Sequence, residues 1–321
     1  MIRTLILVTA LCASLPGHAS YADRPEVQAF VRDLAQRHGF VERELRLVFS
    51  RVRRAEPVLE AISRPAEKVR PWQEYRATLV TERRIAEGRD FWKRYRRTLE
   101  RAERKYGVPA QYVVAIIGIE TFYGRYTGRF RVMDALTTLA FDYPPRADYF
   151  RSELENFLLL ARDSGVDVFS VRGSYAGAIG IPQFMPASTR RYAVDFDGDG
   201  AIDLRHSVAD AIGSVANFLS QHGWQRSSEV QFRVRPSGEA WRSYADGSVE
   251  PKHAIAELLR AGVQVDNLPA ELAEERAALI DLGSEQRLGL RNFYVITRYN
   301  RSAFYASAVA DLAQALFLRS R

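Results

Sequence analysis

The stretch from Val108 to Ile119 is nearly all apolar and ends on Glu120. It is well short of the ~20 apolar residues that cross a bilayer, and no other stretch reaches that length, so it has to be buried inside a folded core. Periodicity alone does not separate strand from helix in such a run. Pro109 near its start and Gly124 beyond its end favour a buried helix. Around it, apolar residues recur at i, i+3, i+4 and i+7: Val27, Phe30, Val31 and Leu34, then Leu45, Val48, Phe49 and Val52 after a stop at Gly39. Trp92, Tyr95 and Leu99 mark a helix in the basic segment Tyr75 to Lys105. Further helices are indicated by Leu154, Phe157, Leu158 and Ala161, by Val208, Ala211, Ile212 and Val215, and by Tyr305, Ala308, Val309 and Leu312. One region differs: Val230, Phe232 and Val234 alternate with Gln231, Arg233 and Arg235 before Pro236 and Gly238, the pattern of a half-buried strand and turn. The chain is expected to be mainly α, in an α+β arrangement.

Composition adds the compartment and the charge. In 321 residues, 47% hydrophobic and 26% charged residues exclude a disordered tail, a collagen-like polymer and a disulfide scaffold. Arg3 followed by the apolar run Leu5 to Leu15, with small residues at Ala19, Ser20 and Ala22, has the form of an export signal over residues 1–22. Cys12 is the only cysteine and falls inside that signal, so the exported chain has no disulfide and no thiolate metal site. Leu11 beside Cys12 departs from the lipoprotein pattern, which makes a lipid anchor the lesser alternative. The formal charge is +7, and removing Arg3 with the signal leaves +6. Basicity suits an anionic partner; no nucleic-acid motif is present and export argues against one. The expected division is the signal over 1–22, an N-terminal helical region over 23–74, a core over 75–225, a small α/β region over 226–290, and a segment over 291–321 that packs back on the core.

Three features carry candidate chemistry. Glu120, at the end of an apolar helix, incurs a desolvation cost when ionised and is expected to hold its proton to higher pH than a free glutamate, as a general acid must; alternatively it faces solvent or pairs with Arg125. The Gly-rich segment Gly173 to Gly180 is a loop without the spacing of a phosphate-cradling or dinucleotide motif, and Ser174 lacks the glycine two residues before it that a nucleophile elbow has. Asp195-Phe-Asp197-Gly-Asp199-Gly-Ala201-Ile-Asp203 reads as the start of an EF-hand loop, with acidic residues at alternate positions and glycine at the sixth. His206 occupies the twelfth position, where a bidentate Glu normally stands. The plain alternative is an Asp-Gly turn with no metal. The four histidines of the exported chain are scattered without zincin spacing, against a zinc enzyme.

Taken together, Glu120-Thr-Phe-Tyr-Gly-Arg125, Asp134-Ala-Leu, Tyr143-Pro, Gly173 through Pro186, Ala211 through Asn217, Phe293 through Asn300 and Tyr305-Ala-Ser-Ala-Val309 closely resemble the lytic murein transglycosylases of the B type. The likeness runs over essentially the whole exported chain. It implies a lysozyme-like core with helical additions that cleaves the β-1,4 bond between N-acetylmuramic acid and N-acetylglucosamine in peptidoglycan, without water, leaving 1,6-anhydromuramoyl ends. Glu120 matches the single acid that then acts as base, so no second catalytic carboxylate is required. Ser174 and Gln183 match positions lining the cleft; locally, a Ser in such a loop often bonds its own backbone and a Gln before an aromatic caps a helix. Tyr75, Tyr299 and Tyr305 match tyrosines near the sugar subsites, Tyr305 fitting a buried stripe equally well. Asn300 is either a polar contact near the carboxylate or a helix N-cap. Phe218 stands where the family commonly carries Tyr, which removes one phenol from the site. A related loop in the family binds calcium with a later Asp, which assigns Asp195, Asp197, Asp199, the Ala201 carbonyl and Asp210 as ligands, with Asp203 spare.

The resemblance further implies no catalytic cofactor, a structural Ca2+, a monomer acting on peptidoglycan glycan strands in the periplasm, and peripheral association with membrane or cell-wall machinery. The rival readings are a non-catalytic peptidoglycan-binding scaffold and a hydrolytic muramidase.

Overall fold

The computed structural model describes residues 20–63, 70–266 and 268–318, so most of the expected export signal lies outside the described residues. The chain forms two compact units, divided between Arg54 and Ala55.

The first unit holds α1 (Pro25–His38) and α2 (Glu42–Ser50). Val27, Val31 and Leu34 form the buried stripe of α1, which Gly39 ends in a left-handed conformation, as the periodicity and the stop predict. The unit begins earlier than expected. Ser20 caps a short turn at Tyr21–Asp23, accepting a hydrogen bond from the Ala22 N–H, and the Tyr21 ring is buried beneath the Arg24 guanidinium. Residues 20–22 therefore belong to the folded part, and a boundary after residue 22 would remove a core side chain.

The second unit begins with α3 (Glu56–Ser63) and α4 (Trp72–Leu79), which the sequence groups with the N-terminal helices through residue 74. The basic segment is two helices, α5 (Glu82–Arg94) and α6 (Arg96–Tyr106), joined at Tyr95; the apolar spacing runs on across the joint, which conceals it. The apolar run is helix α7 (Ala110–Thr121), with Val113 through Ile117 fully buried. It is surrounded by α5, α6, α11 (Val208–Gln221) and α14 (Ala303–Leu318). A helix enclosed on several sides has no polar face to display, which is why its sequence is apolar throughout. The remaining helices of the core are α8 (Val132–Asp142), α9 (Ala147–Asp163) and α10 (Pro186–Tyr192); α8 packs on α9 and α9 on α10.

Short strands β1 (Phe130–Arg131) and β2 (Arg172–Gly173) pair and begin the Gly-rich loop. That loop folds back on itself through bridges from Ile179 to Gly173 and to Phe184. A Cβ at Gly173 would lie 2.2 Å from the Ala178 carbonyl oxygen, and one at Gly128 would lie 2.0 Å from that of Gly173. The glycines are there for backbone close approach.

Beyond residue 230 an antiparallel sheet forms from β3 (Gln231–Pro236), β4 (His253–Ala254), β5 (Val263–Val265), β6 (Arg276–Asp281) and β7 (Gln286–Gly289), in the order β4-β6-β7-β3-β5. A short helix, α12 (Ile255–Arg260), follows β4. Strand β6 is buried on both faces. Ala277 and Leu279 join Val263, Ile255 and Leu288 in a small core, while Ala278 and Ile280 join the main helical core. Alternation along one strand thus seals the sheet to the helices. Finally α13 (Arg291–Tyr299) returns the chain to α14. The architecture is mainly α, with a five-stranded sheet and the two-stranded β1-β2 pair.

Candidate active site

Glu120 occupies the last turn of α7 and is half-buried. The turn behind it is strained. Phe122 and Tyr123 both have positive φ, +52° and +61°, a conformation costing roughly 1–2 kcal/mol for each non-glycine residue. It is held closed by the Phe122 N–H donating to the Gly118 carbonyl (3.1 Å) and the Tyr123 N–H donating to that of Ile117 (3.3 Å). Tyr123 then fills a slot made by two glycines: a Cβ at Gly118 would meet its ring and hydroxyl at 2.6 Å, and one at Gly88 its hydroxyl at 2.3 Å. Its hydroxyl donates to the Arg84 carbonyl at 2.8 Å. Burial pushes this phenol well above its ordinary pKa, so it remains a donor. Thr121 fastens the turn to the Gly-rich loop, donating to the Ile181 carbonyl (2.8 Å) and accepting from the Gly124 N–H (2.9 Å). Sequence reasoning missed these fastenings. The available signal was a helix-weakening glycine, Gly118, inside an otherwise bulky apolar run.

From α14, the Tyr305 hydroxyl donates to Glu120 Oε1 at 2.6 Å, while the ring is 2% exposed. Burial, followed by the Glu120 charge, holds the Tyr305 phenol well above its usual range. It thus remains a donor to the carboxylate, and Tyr305 is a core residue, as its place on the buried stripe of α14 suggests, whose hydroxyl reaches Glu120. Tyr299 lies parallel to it, ring centroids 6.5 Å apart at 11°, and donates to the Pro182 carbonyl at 2.5 Å. Burial and the Glu120 charge raise this phenol as well. Phe184 and Phe218 pack against Tyr299 at 5.6 and 4.9 Å. Tyr75 stands on α4 between Trp72 and Phe304, with ring centroids at 6.3 and 5.6 Å.

The other expected residues are placed as follows. Ser174 Oγ accepts from the Ala176 and Ala178 N–H groups at 3.2 and 3.0 Å, the local bonding its setting suggested. The Gln183 amide donates to the Thr127 and Gly180 carbonyls at 3.0 and 2.8 Å, from a backbone at φ +52°; it pins the loop and caps no helix. Asn300 follows the end of α13, and the residue capping α14 is Ser302, whose Oγ accepts from the Tyr305 N–H at 3.2 Å. Arg125 pairs with Glu87.

In the acidic loop, oxygens of Asp195, Asp197 and Asp210 lie within 4.8 Å of one another. Asp210 is 1% exposed and accepts from the Phe196 N–H (2.7 Å) and the Asp203 N–H (2.8 Å). Backbone N–H groups of Gly200 and Gly198 hold the Asp195 carboxyl below its usual range. Asp199 stands outside the three-carboxylate group and accepts from the Ala201 N–H at 2.8 Å. Asp203 takes the His206 ring at 2.7 Å.

A lysozyme-like helical core that presents one half-buried glutamate to a phenol, among aromatic side chains, defines a glycan-cleaving enzyme. Residues 22–314 match the transglycosylase SLT domain family. The chain is 40% identical over 309 residues to the membrane-bound lytic murein transglycosylase B of Escherichia coli K12, covering 93% of this chain and 84% of the relative. It superposes on the soluble lytic transglycosylase SltB1 of Pseudomonas aeruginosa, in its catenated form, with a TM-score of 0.88 at 48% identity, covering 94% of this chain and all of the other. With the Escherichia coli lytic transglycosylase Slt35 in complex with calcium the TM-score is 0.83 at 39% identity, covering 94% and 95% of the two chains. The chain belongs to the transglycosylase SLT family, and it is a peptidoglycan lytic transglycosylase.

Proposed function

We propose that Glu120 performs both halves of a water-free cleavage of the bond between N-acetylmuramic acid and N-acetylglucosamine. In the first half its carboxyl proton goes to the glycosidic oxygen, the bond from C1 to that oxygen breaks, and the electron pair leaves with the N-acetylglucosamine. The substrate's own N-acetyl oxygen stabilises C1. In the second half the carboxylate takes the proton of the C6 hydroxyl, O6 bonds to C1, and a 1,6-anhydro end forms. Glu120 is left protonated for the next cycle. The observation that carries this reading is the 2.6 Å hydrogen bond from buried Tyr305 to Glu120 Oε1, which fixes the orientation of the half-buried carboxyl group. Tyr75 and Tyr299 are proposed to cover pyranose faces, Ser174 and Asn300 to supply polar contacts beside the carboxylate, and Gln183 to shape the loop that bears Ser174 while offering its Oε1 to the sugar.

The acidic loop suits calcium. Its donors are hard oxygens, and Asp210 has no basic partner among the described residues although it is buried beside two further carboxylates. Asp195, Asp197 and Asp210 would hold the ion, with the Ala201 carbonyl as a further ligand; Asp199, bonded locally, is the weaker assignment. The ion would supply positive charge that holds the loop against α11. The catalytic steps need no cofactor.

The enzyme is proposed to be exported to the periplasm and to act there as a monomer on glycan strands, associating with the envelope peripherally. Support comes from the form of the first nineteen residues and from the membrane-bound relative's name. Signal removal by residue 19 would keep the Ser20 cap and the buried Tyr21 ring.

Mass spectrometry of fragments released from purified sacculi tests the mechanism. Products should carry anhydro ends, one water lighter than reducing ends, and Glu120→Gln should abolish them while glycan binding persists. Reducing ends would make the enzyme a hydrolase; undiminished release by Glu120→Gln would remove Glu120 from the chemistry.

A further inference from the structure

Residues 82–105 contain ten Lys and Arg against five Asp and Glu, a net of +5 (10−5) in a chain whose total is +7. Most of the molecule's excess charge therefore sits on α5 and α6. Part of it is committed inward: Arg84 donates to the carbonyls of Gly118 and Thr78, and Arg101 to that of Phe196. Arg83 pairs with Glu87. Arg89 and Lys93 are exposed, spaced one turn apart, and have no side-chain partner among the described residues. With Ala86, Asp90, Trp92 and Arg96 they line a concavity of about 580 Å³. Arg96 is also exposed and only loosely shared with Glu100, at 3.7 Å. Three cations against one carboxylate, Asp90, around the edge of a half-buried indole make a concave, positively charged surface that the catalytic chemistry does not use.

We propose that this surface is a second, non-catalytic contact with the wall polymer, in which Arg89, Lys93 and Arg96 bind carboxylates of the peptide stems carried by murein. The proposal rests on the chain's being a murein-cleaving enzyme. Charge complementarity favours this occupant: guanidinium and ammonium groups on adjacent turns match a polymer carrying carboxylates at intervals, and guanidinium binds carboxylate as a two-pronged fork. A bilayer surface is disfavoured by the same residues. Helices that lie on membranes insert exposed apolar side chains, and none of the large exposed hydrophobic residues among the described residues lies between 82 and 105. Such a contact would keep the enzyme on its insoluble substrate between cleavages, because a tethered site sees a high local concentration of glycosidic bonds.

The test uses the Glu120→Gln chain as a binder that does not cut, pelleted with purified sacculi, with and without Arg89→Glu and Lys93→Glu. The double reversal is expected to weaken binding at least tenfold at low salt and to flatten its salt dependence, whereas Arg89→Gln with Lys93→Gln gives a smaller loss. On glycan strands stripped of their peptides, both forms should bind equally, and the double reversal in the otherwise native enzyme should leave turnover of those strands unchanged. Equal binding of parent and double reversal to intact sacculi overturns the proposal, as does a loss that persists on stripped strands. Binding to vesicles of anionic phospholipid that disappears in the double reversal would reassign the surface to a membrane and overturn it too. Each of these results leaves the anhydro products, and so the proposed mechanism, untouched; their absence from the native enzyme would sink that mechanism independently.

Discussion

Asp311 on α14 and Asp210 on α11 are both buried carboxylates, 4% and 1% exposed, and their surroundings are opposite in charge. Asp311 is met by guanidinium groups of this same chain: Arg287 at 2.7 and 3.1 Å and Arg76 at 2.5 Å, with Arg233 further out at 3.8 Å. Arg287 is fully buried and also meets Glu285, which accepts from Trp72 Nε1 at 2.9 Å. The network ties the sheet to α4 and α14, the helices that carry Tyr75 and Tyr305, the latter bonded to Glu120. Asp210 is instead met by backbone N–H groups and by two more carboxylates. Its hydrogen bonds are satisfied and its charge is not. A buried carboxylate with its own cations locks elements together, whereas one that gathers further acids is the setting in which calcium is proposed.

The difference can be broken most forcefully at Arg287. Arg287→Met leaves Asp311 and Glu285 without their buried partner and should cost about 3–5 kcal/mol, read from urea or thermal unfolding; a loss under about 1 kcal/mol would show that the network is dispensable. Its pH dependence has a definite sign. Burial opposes ionisation of Asp311, yet the Arg287 and Arg76 guanidiniums win and hold its carboxyl below the usual range. The stability it contributes is therefore complete above the ordinary Asp value of about 4 and is lost as pH falls through the lower folded value. Asp311→Asn should flatten this acid limb.

The acidic loop should respond in the reverse sense. Calcium added to chelator-treated protein at 100 times its Kd should raise unfolding stability by about 2.7 kcal/mol, and Asp210→Asn should remove the response. No rise in Tm with calcium would reduce the loop to a turn. The smallest effect sharpens the comparison from outside the core: Arg235 and Asp266 approach to 2.5 Å but are 72% and 70% exposed, so Asp266→Ala should change stability by less than about 1 kcal/mol, and less still in high salt.

Periodicity was a good guide wherever one face of an element meets one partner. The stripes on α1, α11 and α14 are buried as their spacing predicts, and the alternation over residues 230–235 produces β3. It failed where local pattern and long-range contact diverge. The joint at Tyr95 interrupts a helix whose apolar spacing continues unbroken, and α3 and α4 join the larger unit through packing on α8 and α14 that no local signal records. At the site, motif residues were legible by type, but their partners were not. Gln183 spends its amide protons on two carbonyls, Ser302 rather than Asn300 caps α14, and Asp199 stands apart from the carboxylates beside it in sequence.

Sequence by itself determined several of the amphipathic helices, strand β3, an acid at the end of an apolar run and an acidic loop, because these follow from spacing and side-chain type over a few turns. Only the tertiary structure decided that Tyr305, 185 residues further along, donates to Glu120, that Tyr123 fits the slot left by Gly88 and Gly118, and that Arg287 closes on Asp311. Such contacts depend on how whole elements pack, and hydrogen bonds and ion pairs form only when that packing brings donor and acceptor within about 3 Å.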